Sequence, residues 1–198
     1  MIITVASFKG GVAKTTSAVH LAAYFQQQAP TLLLDGDPNR AALAWNRNDG
    51  LPFKVAHLSQ GVRYARDYAH TIIDTEARPG SDDFRALVEA GDLLVIPAVP
   101  GTLDTLALSH TLSALREFGH TNYRVLLCRV PPRPATDGDV LRAELAALDV
   151  PLFKSEVPTL KAFEKAAAAG VPVYEVNDPR AKRAWDAYAA AGKEIIDG

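Results

Sequence analysis

The stretch Ser7-Phe8-Lys9-Gly10-Gly11-Val12-Ala13-Lys14-Thr15-Thr16 restricts the fold of this chain more than any other. Ahead of it, Ile2 to Ala6 is a short β-branched apolar run of the kind that forms a buried strand. Behind it, Thr16 to Gln28 carries Ala18, Leu21, Ala22 and Phe25 at helical spacing. A glycine-bearing turn from strand to helix points successive backbone N–H groups inward, and the open helix N-terminus adds partial positive charge. Such a turn cradles phosphate. Lys14 is placed to reach β- and γ-phosphates, and Thr15 to offer its hydroxyl to Mg²⁺.

The usual loop pattern asks for Gly, four residues, then Gly-Lys-Ser/Thr. Here Phe8 and Ala13 stand at the two glycine positions, and what remains is Lys-Gly-Gly-x-x-Lys-Thr-Thr with a second lysine, Lys9. This resembles the deviant phosphate loop of the ParA/MinD family of ATPases. The resemblance implies ATP and Mg²⁺ as cofactors, held by Lys9, Gly10, Gly11, Val12, Ala13, Lys14, Thr15 and Thr16. It also implies that Lys9 reaches across a homodimer to the partner's ATP. Most members have glycine where this chain has Ala13. Alanine adopts the right-handed angles of a helix start without penalty, so the replacement is expected to be tolerated.

Strand and helix signals alternate along all 198 residues, without internal repeats or low-complexity linkers. The expectation is a single α/β domain over 1–198, a P-loop NTPase fold with a mostly parallel central sheet and helices on both faces. Cys128 is the only cysteine, which excludes an internal disulfide, a multi-cysteine zinc site and a four-cysteine cluster within one chain, and so a nitrogenase-type reductase. It also fits a reducing cytosol, and a cytoplasmic location is expected. Met1 leads straight into the first strand, so neither a signal segment nor an added DNA-reading domain is expected. No apolar run approaches the roughly 20 residues that span a bilayer. A net charge of −2 leaves any DNA contact to a local patch.

In parallel sheets, ligands sit beyond the carboxyl ends of the strands. The second strand, Thr31 to Asp35, ends in Asp35-Gly36-Asp37-Pro38-Asn39. The family text is Asp-x-Asp-Pro-Gln. By that resemblance Asp37 orients the attacking water and Asp35 lies close to the metal. Asp37 can also cap a helix beginning at Pro38 and running to about Asn46, and the two roles are compatible. Phe53 to His57 is a possible short strand, and Gln60 to Tyr68 is ambiguous. Thr71-Ile72-Ile73-Asp74-Thr75 is a further strand ending in an aspartate suited to holding Mg²⁺ through water. Glu76 and Arg78 depart from the family's Thr-Pro-Pro.

Ser81 is a candidate cap for the helix to Ala90. Asp92 to Pro97 is fully apolar after its first residue, hence central. Leu106, Leu108, Leu112 and Leu115 suggest core and dimer packing. Cys128 in the strand Tyr123–Val130 is a small buried hydrophobe. Pro158, by resemblance, lies near the base.

Relatives carry DNA-binding arginines just after that proline. Here the candidates are Lys161, Lys165, Arg180, Lys182 and Arg183, interspersed with acids such as Glu164 and Asp186. The reading is an ATP-dependent DNA-partition ATPase. Its ATP-sandwich dimer binds DNA non-specifically, associates with the nucleoid and is released when a ParB-like activator protein stimulates hydrolysis. The alternative is a ParA-like ATPase that positions another cargo, such as a carboxysome or a chemoreceptor cluster. A MinD-like membrane role needs a C-terminal amphipathic helix, whereas Arg180 to Ile196 has the look of a packing helix, so no stable membrane association is expected.

Overall fold

The computed structural model describes residues 1–77 and 80–198, with the backbone only for 102–107. Seven strands form one sheet: β1 (Ile2–Ser7), β2 (Thr31–Gly36), β3 (Lys54–His57), β4 (His70–Ala77), β5 (Leu93–Ala98), β6 (Tyr123–Val130) and β7 (Leu152–Pro158). They lie in the order β3-β2-β4-β1-β5-β6-β7, and every pairing is parallel. From β1 the chain runs out to the β3 edge, returns to β4, and crosses β1 to build the other side. The carboxyl end of β1 therefore sits mid-sheet with a neighbour on each side.

The strands are continuous apolar runs because both faces are covered. Ile3 and Val5 of β1, Leu33 of β2, Val95 of β5 and Leu126 and Cys128 of β6 enter one core. The alternate residues Ala6, Leu94, Ile96, Val125 and Leu127 enter the other. The first core is roofed by α1 (Lys14–Gln26), α2 (Ala41–Trp45), α7 (Lys161–Ala169) and α8 (Ala181–Asp197). The second is roofed by α4 (Ser81–Glu89), α5 (Thr102–Glu117) and α6 (Asp137–Ala147). Leu108, Leu112 and Leu115 are buried in this second core, so they pack within the monomer. The Leu106 side chain and Arg78 lie outside the described residues.

Some local expectations are corrected. Residues 58–67 form one turn of α-helix, α3 (Gly61–Tyr64), between two 3₁₀ turns. The helix expected from Pro38 begins at Ala41, because Arg40 turns the chain through a left-handed conformation (φ 53°, ψ 45°). Asp37 thus caps no helix. Gly80 takes the N-cap position of α4 without a side-chain bond, so Ser81 is the first helical residue and not the cap.

The β7 edge is held by α8. Lys154 N donates to Glu194 Oε2 at 2.7 Å and Ser155 N to Glu194 Oε1 at 2.8 Å. Arg124 Nη1 donates to the Glu194 carbonyl at 3.0 Å. The remaining apolar face of α8, Ala184, Tyr188, Ala191 and Ile195, is buried against the sheet.

Candidate nucleotide site

Residues 8–13 turn from β1 into α1, and two of them hold left-handed angles: Gly11 at φ 78° and Ala13 at φ 74°, ψ 27°. The right-handed conformation expected at Ala13 is therefore corrected. The loop must reverse direction to aim its amides inward, and a left-handed residue at the N-cap makes that reversal. Alanine does so at a cost of about 1–2 kcal/mol that glycine would not incur.

Lys14 Nζ donates to the Lys9 carbonyl at 2.8 Å, bridging the loop. Lys14 is buried, and desolvation lowers the pKa of its ammonium despite the opposing fields of Asp74 and Asp37. The Thr15 hydroxyl donates to Asp74 Oδ2 at 2.7 Å. Asp74 is fully buried, and its other oxygen, Oδ1, has no hydrogen-bond partner. Burial pushes this carboxyl up to about 7; the Thr15 bond works against the shift and neighbouring Asp35 adds to it. A buried carboxylate with one unsatisfied oxygen beside a hydroxyl is a donor set suited to a hard divalent cation such as Mg²⁺.

β2 and β4 are adjacent, and their register places Asp35 beside Asp74. Yet Asp35 Oδ1 accepts from Asp37 N at 3.0 Å and Oδ2 from Leu43 N at 2.8 Å. Each oxygen accepts one main-chain N–H, so Asp35 anchors the loop that carries Asp37, and a carboxylate keeps further lone pairs for a metal-bound water. Asp37 Oδ1 accepts from Asn39 N at 2.8 Å and from Asn39 Nδ2 at 3.0 Å.

A cavity of about 540 Å³ opens over the loop. Gly10, Gly11, Ala13, Lys14, Thr15, Thr16, Asp37 and Asn39 line one part of it; Val157, Pro158, Thr159, Leu160 and Phe163 line another. Pro158 thus lines the same cavity as the loop. Val12 turns its side chain into the interior, and neither it nor Lys9 lines the cavity.

Two contributors escaped the sequence reading. Arg129, at the carboxyl end of β6, lines the cavity and donates from Nη1 to the Gly11 carbonyl at 3.1 Å, with left-handed backbone angles (φ 53°). A cation in the last turn of a buried strand was the available signal. His20 lies beneath the loop, fully buried. Nδ1 bonds the Thr16 carbonyl at 2.7 Å, Nε2 accepts from Val173 N at 3.2 Å, and the ring stacks on Tyr188 at 5.0 Å. The carbonyl contact requires the proton on Nδ1. Burial lowers its pKa to about 4, so the ring is neutral.

Of the five basic candidates, Lys161, Lys165 and Arg180 line one hollow of about 300 Å³ with Asp178 and Pro179. Lys165 pairs with Asp178 at 2.6 Å inside that group. Lys182 pairs along α8 with Asp186 at 2.6 Å, and Arg183 is exposed on the same helix. Neither joins the hollow. No helix among the described residues is long and apolar enough to cross a membrane.

A parallel sheet with a phosphate-type loop at the carboxyl end of its middle strand, a buried lysine in that loop and an acidic strand beside it define a P-loop nucleotide-binding protein. Residues 3–173 match the model of the CobQ/CobB/MinD/ParA nucleotide binding domain, and the chain belongs to that family. It is 31% identical over 201 residues to a maintenance of carboxysome distribution protein A of Gloeobacter kilaueensis, covering 98% of this chain and 93% of that one. It is also 31% identical over 126 residues to a protein ParA of Rhizobium radiobacter, covering 59% and 56%. The septum site-determining protein MinD of Pyrococcus horikoshii, solved with Mg-ADP, has the same fold: TM-score 0.73, 17% identity, 100% and 97% covered.

Proposed function

We propose that this protein is a Mg²⁺-dependent, ATP-hydrolysing positioning switch of the ParA type. The observation that carries the reading is Lys14 and Thr15 on the cavity wall with Asp74 bonded to Thr15 behind them, its Oδ1 buried and without a hydrogen-bond partner. Thr15 and Asp74 would hold Mg²⁺, which when bound would neutralise charge on the β- and γ-phosphates. Gly10, Gly11, Ala13 and Thr16, with the Val12 main chain, would cradle the phosphates, and Pro158 would flank the base. Lys14 would exchange the Lys9 carbonyl for a phosphate oxygen. Asp37 would orient the attacking water towards the γ-phosphorus. Phosphoryl transfer needs positioning and charge neutralisation more than covalent chemistry, and these side chains supply both.

Two subunits would enclose ATP, with Lys9 of each reaching the other's site. The sandwich would bind DNA non-specifically and accompany the nucleoid, and a ParB-like activator protein would release it by stimulating hydrolysis. The hollow of Lys161, Lys165 and Arg180 supports a local phosphate-binding patch. Plasmid or chromosome partition is one cargo system. Carboxysome positioning is a second, favoured by the near full-length match to the Gloeobacter kilaueensis protein. The deciding assay is phosphate release from MgATP. Slow turnover in wild type, abolished in Asp37→Ala while nucleotide still binds, is the expected result. Wild-type protein that binds MgATP without turning it over would overturn the reading.

A further inference from the structure

We propose that Asn39 is a positioning residue for hydrolysis: its side-chain amide pins Asp37 Oδ1, so that Oδ2 is the oxygen presented to the attacking water. The inference rests on the ATPase reading above. The loop after β2 is a chain of short contacts that starts from a buried anchor. Asp35, inaccessible to solvent, fixes the Asp37 main chain through Oδ1 and the start of α2 through Oδ2. Pro38 follows, with its own φ fixed by its ring. What this frame leaves unfixed is the carboxylate of Asp37, which sits at the cavity wall and is partly open to water.

Asn39 supplies the missing restraint. Its main-chain N–H and its side-chain Nδ2 converge on the same oxygen, Asp37 Oδ1, at 2.8 and 3.0 Å. One donor would let the carboxylate swing about the bond; two donors from different directions fix its plane. Both bonds fall on Oδ1 and the described contacts leave Oδ2 uncommitted, so the carboxylate meets the cavity with a defined oxygen. The main-chain bond is open to any residue at this position, whereas the second is specific to the Asn39 side chain. Asn39 itself is exposed and takes no part in the core. Its side chain can therefore be changed without touching the turn or the fold.

The test compares wild type with Asn39→Leu, which keeps the shape and removes the donor, and Asn39→Gln, which keeps an amide on a longer stem. Steady-state kcat and KM for MgATP, the Kd of a fluorescent ATP analogue and the melting temperature are measured on each. Asn39→Leu is expected to lower kcat about tenfold, within the range produced by loosening one reacting group. KM, analogue affinity and melting temperature should stay at wild-type values, and Asn39→Gln should fall between Asn39→Leu and wild type. Wild-type turnover in Asn39→Leu would overturn the inference, and so would loss of analogue affinity in step with kcat. Asp37→Ala separates the two claims. If it abolishes turnover while Asn39→Leu leaves turnover intact, the inference alone fails; if wild type has no Asp37-dependent turnover, the ATPase reading fails and the inference with it.

Discussion

Ala13 shows how one side chain sets the cost of a functional loop. Its N-cap position in α1 needs a left-handed backbone, where a Cβ meets the carbonyl oxygen and costs about 1–2 kcal/mol. Replacing it with glycine removes that strain but also frees the unfolded chain, which returns about 0.4–1 kcal/mol. Strain relief is the larger effect. Ala13→Gly is therefore expected to stabilise the protein by about 0.5–1 kcal/mol, or about 1–4 °C in melting temperature for a domain of this length. Thermal unfolding followed by circular dichroism measures it; a drop in melting temperature would contradict the left-handed assignment. The identity of Ala13 was plain in the sequence, but its conformation was not. Alanine prefers the helical region, and only the requirement that the loop aim its amides inward, imposed by β1 and α1 together, forces it elsewhere.

Among the elements, strand identity was the most legible and helix starts the least. β6 spans Tyr123–Val130 as its apolar run indicates, and β2 and β4 run on past their predicted acids Asp35 and Asp74 to Gly36 and Ala77. Runs with both faces buried leave little room for another assignment. The start of α2 was hidden because Asp-Pro is a common helix entry, yet here Asp37 bonds forward to Asn39 and the chain delays its helix by three residues. Asp35 and Asp74 looked equivalent in sequence, each ending an apolar strand, and only hydrogen-bond accounting shows that Asp35 anchors main chain while Asp74 keeps one oxygen without a partner. Arg129 and the His20 network depend on tertiary approach over more than a hundred residues and left no periodic trace.

The junction of α8 with β7 makes a second prediction. Partial burial would raise the Glu194 pKa, but the amides of Lys154 and Ser155, with Arg124 nearby, more than offset it, and the net shift is downward. A carboxylate with a lowered folded pKa stabilises the protein above its unfolded value and loses that contribution as pH falls through the folded one. Glu194→Gln should cost about 1–2 kcal/mol at neutral pH, the worth of trading charge-assisted bonds for one neutral bond. The difference from wild type should narrow at an acidic pH below the ordinary glutamate range, as the native carboxyl takes up its proton. Urea melts at the two pH values test this, and a penalty independent of pH would sink it.

For the assembled protein, the decisive contact is the bond from Lys14 Nζ to the Lys9 carbonyl. The lysine that would grip phosphate bonds the main chain of the lysine that would reach the partner. Bound β- and γ-phosphates offer Lys14 a fully charged acceptor in place of a peptide oxygen, and charge-assisted bonds to anions are roughly twice as strong as neutral ones. Occupancy should therefore release the Lys9 peptide at the same moment as it creates the charge that the partner's Lys9 would seek. Such an exchange of acceptors would couple nucleotide state to assembly state. Sedimentation velocity with a non-hydrolysable ATP analogue, with ADP and without nucleotide is expected to show a dimer only with the analogue. Lys9→Ala should remain a monomer under all three conditions while binding the analogue within about tenfold of wild type, since the group it removes serves the neighbouring site; that margin is about 1.4 kcal/mol. If Lys9→Ala dimerises as wild type does, the crossing lysine has no part in assembly, and the exchange at its carbonyl is a feature of the loop alone.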